Sequence, residues 1–389
     1  MFVASRDMRR QAGRFVLLTG AIALLVLLLG FFQTVSSALT SGITGGLLNN
    51  QADLLVYSDK ARLNPAASVL APDAASRVSD VDGVERAAGV GRGQFADQSA
   101  DGDVTVIGLD DLAFGGPAKV ATGRRATKPG EALASSPDLS SSDVSYAVGD
   151  TLTLEGVDLV VVGTSDGAAF DVGPTMYVSF EDLQTMKSND AGVQVPALFS
   201  WVAVELADGV DSDTVVAQID DLGVPASSDT TTAAPASASL ASTGFEAVDR
   251  SAAADALPGV DQITQSFNIL YLLLFIVVTI VTGVFFLILT VQKRDSLVLM
   301  RALGASRADV IKPILIEVVL VVLVGSVLGT AVAAGLLEIA KDSFGTLDPI
   351  TAALSVVLIL LLGIVSSFAS VRRVLQVDPV EAARRRGAS

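Results

Sequence analysis

The stretch FVLLTGAIALLVLLLGFF at positions 15–32 is apolar apart from one threonine and two glycines. A helix rises about 1.5 Å per residue, so about 20 such residues cross the hydrocarbon core of a bilayer. Three more stretches pass the same test: 269–291 and 350–371 carry no charge, and 314–337 carries only Glu317. The first stretch is long for the apolar region of a cleaved leader, and no small-residue cleavage site follows closely, so it is expected to remain in the membrane.

The chain is 51% hydrophobic yet has a formal net charge of −16, a combination that arises when apolar spans alternate with an acidic soluble domain. Basic residues fix the orientation. Arg6, Arg9, Arg10 and Arg14 precede span one; Lys293, Arg294, Arg301, Arg307 and Lys312 join spans two and three; Arg372, Arg373, Arg384, Arg385 and Arg386 follow span four. Residues 38–263 hold 11 basic and 33 acidic residues, which places them on the other side. The expected fold is a membrane protein with four transmembrane α-helices and an α+β extracytoplasmic domain inserted between helices 1 and 2. Its expected parts are a cytoplasmic amphipathic helix at 1–14, span one at 15–37, the outer domain at 38–263, span two at 264–291 and a cytoplasmic coupling loop at 292–312. Span three at 313–337, a short outer loop at 338–349, span four at 350–371 and a cytoplasmic tail at 372–389 complete it. Both termini then lie in the cytoplasm.

In the outer domain, short runs rich in Val, Thr and Tyr at 54–57, 104–108, 151–154, 159–163, 175–178 and 202–205 predict strands. Residues 180–186 predict a helix capped by Ser179, with Asp182 three positions on. Residues 226–243, nearly all Ser, Thr, Ala and Pro, predict a loose linker. The acid excess argues against nucleic acid as a partner.

In the coupling loop, Leu297, Met300 and Leu303 share one helical face, and Gly304 is a natural cap. A short helix lying crosswise between two spans can receive force from a soluble partner; an ordinary charged loop is the plainer alternative. Within the spans, Gly325 and Gly329 form a G-x-x-x-G, and Gly363 offers a small face in span four, which together predict packing of span three on span four. Glu317 lies close enough to the inner interface to snorkel or to pair with a basic residue.

These residues carry a resemblance. Lys293-Arg294 followed by Leu299-Met300-Arg301-Ala302-Leu303-Gly304-Ala305-Ser306-Arg307 resembles the signature before span three of type VII ABC transporter permeases, the MacB, LolC and FtsX group. The ending Val377-Asp378-Pro379-Val380-Glu381-Ala382 resembles that group's D-P-x-E-A tail, and the order of spans and outer domain matches throughout. Asn50-Gln51-Ala52-Asp53-Leu54-Leu55-Val56, Thr175-Met176-Tyr177 and Thr290-Val291-Gln292-Lys293 are similar to stretches of the HrtB/DevC branch, whose best-known members export haem. The resemblance implies a homodimer of this chain with two cytoplasmic ABC ATPase subunits that carry Mg-ATP. Lys293, Arg294, Met300, Arg301, Leu303, Gly304 and Arg307 would be the ATPase-coupling residues.

The chemistry available is narrow. The chain has no G-x-x-x-x-G-K-[ST] stretch to cradle phosphates, so it reads as a permease rather than an enzyme. With no Cys and no His, disulfides, Cys/His metal sites and His-based catalysis are excluded, and no cofactor is expected on this chain. If haem is the transported substrate, its iron could meet only Tyr, Met or a carboxylate. Tyr177 and Tyr271 are the candidates, with Glu246 and Glu338 next. A packed strand residue and an interfacial belt residue are the plainer readings of the two tyrosines. Two rivals remain: a signalling permease like FtsX that controls a cell-wall hydrolase outside, and an exporter of a peptide, lipoprotein, glycolipid or antibiotic.

Overall fold

A backbone inside hydrocarbon must satisfy its own hydrogen bonds, so apolar runs of this length become helices. The computed structural model describes residues 12–97, 102–136, 146–170, 173–222, 244–292 and 307–339, with four further helical positions at 353, 354, 357 and 361. Among them, three helices are long and apolar enough to cross a membrane, over Phe15–Leu48, Val260–Val284 and Val319–Leu336. The fourth expected span, the amphipathic segment at 1–11, the linker at 226–243 and the tail lie outside the described residues.

In chain order the elements are α1 (Ala12–Leu48), β1 (Leu54–Ser58), α2 (Ala74–Ser79), β2 (Val84–Asp97), β3 (Gly102–Leu109), β4 (Thr122–Gly123), β5 (Glu131–Ser136) and β6 (Thr151–Leu154). There follow β7 (Val157–Asp166), β8 (Thr175–Ser179), α3 (Phe180–Ala191), β9 (Trp201–Leu206), α4 (Ser212–Leu222), β10 (Phe245–Asp249), α5 (Arg250–Asp255), α6 (Val260–Gln292) and α7 (Arg307–Ile339). The chain forms two compact units. One takes in Met1–Ser36 and Gln265–Ser389, the other Ser37–Thr264.

The second unit is built on one mixed sheet in the order β10-β1-β9-β2-β3-β8-β5-β7-β4, with β6 also on β7. Most pairs are antiparallel; β3 with β8 and β5 with β7 are parallel. Both faces are covered, which explains the continuous burial of β1 (LLVYS) and β8 (TMYVS). On one face Leu55, Tyr57, Ile107, Tyr177 and Trp201 pack with Leu47 from the end of α1 and with Ala253 and Leu257. On the other face Leu54, Val56, Val202 and Val204 pack with Val78 of α2 and Val215 and Ile219 of α4. Farther along, Val104, Val106, Met176 and Val178 pack with Leu183 and Met186 of α3.

All six strands expected from the sequence lie within β1, β3, β6, β7, β8 and β9. The longest strand, β2, escaped that reading because Gly and Ala fill it (VERAAGVGRGQFAD) and both disfavour strands. Its glycines answer to packing: a Cβ at Gly91 would lie 2.7 Å from both Leu183 and Phe180. Ser179 caps α3, its hydroxyl accepting from the Asp182 N–H at 3.1 Å. The helix runs on past 186 to Ala191, where Gly192 at φ 65° ends it.

One ion pair locks the turn before β5. Arg124 forks onto the almost fully buried Glu131, Nη1 to Oε2 at 2.7 Å and Nη2 to Oε1 at 2.6 Å. The Thr127 N–H donates to Oε2 at 3.1 Å. Hydrogen bonding from Arg124, chiefly, holds the Glu131 carboxyl at about 2 instead of 4.5. The folded state therefore favours the ionised form, so its contribution is full above pH 4.5 and is lost as pH falls toward 2. Thermal unfolding of the detergent-purified protein, followed by the emission of its single tryptophan, should show a steeper acid loss of stability in wild type than in Glu131→Gln. Equal slopes would deny the pair this role.

Candidate functional site

Between helices in a bilayer, close packing of small residues does the work that hydrophobic burial does in water. Gly325 and Gly329 lie one turn apart on α7. A Cβ at Gly325 would lie 2.8 Å from Ile22 Cγ2 and 3.1 Å from the Thr19 carbonyl oxygen, and one at Gly329 would lie 2.8 Å from Val26 Cβ. Ile22 and Val26 are themselves one turn apart on α1 and buried. Among the described residues the G-x-x-x-G thus seats the third span on the first, a contact the sequence reading did not anticipate; the expected pairing with the fourth span falls outside the described residues. Gly363 lies outside the described residues. So do Lys293, Arg294, Met300, Arg301, Leu303 and Gly304; Arg307, the last coupling candidate, opens α7.

The substrate candidates divide between the two units, and the two in the outer unit, Tyr177 and Glu246, stand on strands that are not neighbours in the sheet. Tyr177 is a core residue, 1% exposed, and its hydroxyl donates to the Ala168 carbonyl at 2.6 Å. Burial pushes its phenol far up, so no phenolate is offered to a ligand. This corrects the reading of Thr175-Met176-Tyr177 as a ligand-bearing stretch: strand alternation sends Tyr177 into one core and Met176 and Val178 into the other. Glu246 lies on β10, opposite Tyr57, with four strands between β10 and β8 in the sheet order. Burial raises its pKa, and the charges of Asp220 and Asp59 add to the shift. Tyr271 lies in the helical unit, half-buried on α6, and its hydroxyl donates to the Phe32 carbonyl of α1 at 3.2 Å. It ties two spans and packs beside Phe267, ring centroids 6.2 Å apart. Glu338 stands in the last turn of α7. Among the described residues no three His, Cys, Asp or Glu are grouped to hold a metal.

Sequence reasoning missed the joint where α1 enters the outer unit. A Cβ at Gly45 would collide with the Gly167 carbonyl, and one at Gly46 with the Phe170 ring. The Gly46 N–H donates to the Ala169 carbonyl at 2.8 Å. Phe170 in turn stacks on Trp201 in the core, centroids 5.6 Å apart. The signal was present as Gly45-Gly46 at the end of a long apolar run, where a helix backbone can approach another segment closely.

Comparison with known proteins fits this arrangement. Residues 17–222, more than half of the chain, match the family model of the MacB-like periplasmic core domain, and residues 268–379 that of the FtsX-like permease C-terminal region. The chain belongs to the MacB/FtsX family of ABC transporter permeases and is a membrane permease with a MacB-like outer domain. A putative hemin transport system permease protein, HrtB, of Staphylococcus haemolyticus (strain JCSC1435) is 25% identical over 142 residues, 36% of this chain. The match spans 40% of that relative's length. Two solved structures are also similar. The periplasmic region of MacB from Actinobacillus actinomycetemcomitans matches with TM-score 0.34 and 11% identity, over 56% of this chain and 94% of its own. The extracellular domain of the ABC-type transporter YknZ from Gram-positive bacteria matches with TM-score 0.31 and 15% identity, over 51% of this chain and all of its own.

The α1–α7 contact is directly testable. Gly329→Leu should drive α7 off α1 and lower the melting temperature of the detergent-purified protein, whereas Gly335→Leu, where a Cβ meets nothing within 4 Å, should leave it near wild type. Equal melting of the two variants would remove the proposed seat.

Proposed function

We propose that this permease works with a separate cytoplasmic ATPase in an ATP-driven efflux or mechanotransmission complex that extracts a lipophilic substrate from the outer leaflet. The observation that carries the reading is α1, a single uninterrupted helix of 37 residues, about 55 Å long at 1.5 Å per residue. Its first part carries Ile22 and Val26 in the span contacts, and its last part carries Leu47 in the core of the outer domain. A movement of the inner end would reach the outer domain without crossing a loop. Permeases of this family normally pair with a cytoplasmic ATPase. In this reading the chain is a homodimer with two ATPases, Mg-ATP is bound by those partners, and the complex stands in the bacterial cytoplasmic membrane with both termini inside. The segment 293–307 is its coupling contact.

Haem is the cargo the reading favours, on the strength of the HrtB-like relative and the branch motifs. No His or Cys is available, and of the four tyrosines Tyr57 and Tyr177 are in the core while Tyr146 donates to Asp97 at 2.5 Å. Tyr271 is then the phenol best placed to meet an iron, once it releases Phe32, with Glu246 and Glu338 behind it. The FtsX-like match over 268–379 supports a second reading, a signalling permease that controls an extracellular cell-wall hydrolase. An outer domain of more than 200 residues is large for that role.

Titration of the detergent-purified protein with haemin separates these. The expected result is saturable binding with the absorption of a ferric phenolate, lost in Tyr271→Phe. Phe keeps the ring and removes only the oxygen. Binding with an unchanged spectrum in Tyr271→Phe would keep haem and discard this ligand. No binding by wild type would discard haem as cargo.

A further inference from the structure

Asn50, where α1 gives way to β1, is fully buried and holds three distant parts of the chain together. Its Nδ2 donates to the Gly115 carbonyl at 2.7 Å, and its Oδ1 accepts from the Ala52 N–H at 2.9 Å. Its backbone carbonyl accepts from Arg250 Nη1 at 2.7 Å. On either side, the Asn49 carbonyl accepts from the Ala118 N–H at 2.7 Å, and the Gln51 N–H donates to the Gly116 carbonyl at 3.0 Å.

Arg250 comes from the other end of the domain. It is the first residue of α5, a helix capped by Asp249 and leading directly toward α6, by which the chain returns to the membrane. The helix dipole leaves partial negative charge at the C-terminus of α1, where a cation is favoured. The last turn of α1 has no basic residue of its own. Arg250 supplies one, 200 residues away in sequence, through a charge-assisted hydrogen bond that is partly buried.

We infer that the Asn50–Arg250 bond is a latch that makes the outer end of α1 and the α5–α6 leg move as one piece, with Arg250 as its positioning residue. The two legs are the only covalent links between the outer unit and the rest of the chain. The β1–β10 pairing and the shared core of Leu47, Ala253 and Leu257 keep the two legs close, and the bond fixes one position of each against the other. Tied, they deliver one displacement. The latch deepens the proposed function by naming the part that passes motion to the outer domain.

The cysteine-free chain allows a direct test. Ser41→Cys on α1 and Asp261→Cys at the start of α6 are both exposed and accept spin labels in the full-length protein in detergent. Pulsed electron resonance should give one narrow distance distribution. Arg250→Ala should add a second, broader component, the ratio of tied to untied legs falling about tenfold, the scale of one hydrogen bond to a charged group. Arg250→Lys, which keeps charge and a donor, should restore most of the narrow component. A distribution unchanged by Arg250→Ala, with the buried Trp201 emitting as in wild type, overturns the latch. If Arg250→Ala disturbs Trp201, Arg250→Gln keeps the stem and is read in the same way. The measurement uses neither ATPase nor cargo, so failure of the transporter reading and failure of the latch give different results.

Discussion

The hydrogen-bonding demand of a backbone in hydrocarbon is the constraint from which this architecture follows. No water is available there to accept a free N–H, so the chain crosses as helix. Nothing in that rule requires the helix to stop at the interface. α1 continues to Leu48, and its last turns become part of the soluble core through Leu47. Gly45 and Gly46 make this possible, since any side chain there would strike the segment at 167–170. The helix therefore ends with Leu47 packed against protein, and its terminal dipole is met by Arg250 just beyond the last turn.

The sheet explains how the outer domain stays ordered without disulfides. It has ten strands among the described residues and is covered on both faces, so its central strands lose their polar alternation and read as apolar runs. This burial also decides what the tyrosines can do. Tyr57 and Tyr177 are packing residues of one face.

The helices long enough to span and the most β-branched strands were legible because length and composition alone determine them. The glycine-rich β2 was not legible, because its strand conformation is imposed by neighbours such as Phe180, Leu183 and Phe199. The same holds for Gly325 and Gly329. The spacing announced close packing, but only the facing residues Ile22 and Val26 tell which helix is the partner. Tyr177 shows the opposite failure: a short motif match suggested chemistry, and strand alternation put its side chain in the core. The Asn50 stretch was noticed as a motif, yet its contact with Arg250 spans the whole domain and leaves no local periodicity to read.

The span contacts, the continuous α1 and the pinned joint together support the proposal that this permease passes movement between the two sides of a membrane. That account depends on the acidic domain and the segment 293–307 lying on opposite sides. Single cysteines at exposed Ser212 and at Ser306, in a chain with none of its own, measure it with a membrane-impermeant thiol reagent in intact cells. The account predicts that Ser212→Cys is labelled, where any outer wall or membrane admits the reagent, and that Ser306→Cys reacts only after the cells are opened. Labelling of Ser306→Cys in intact cells would contradict it.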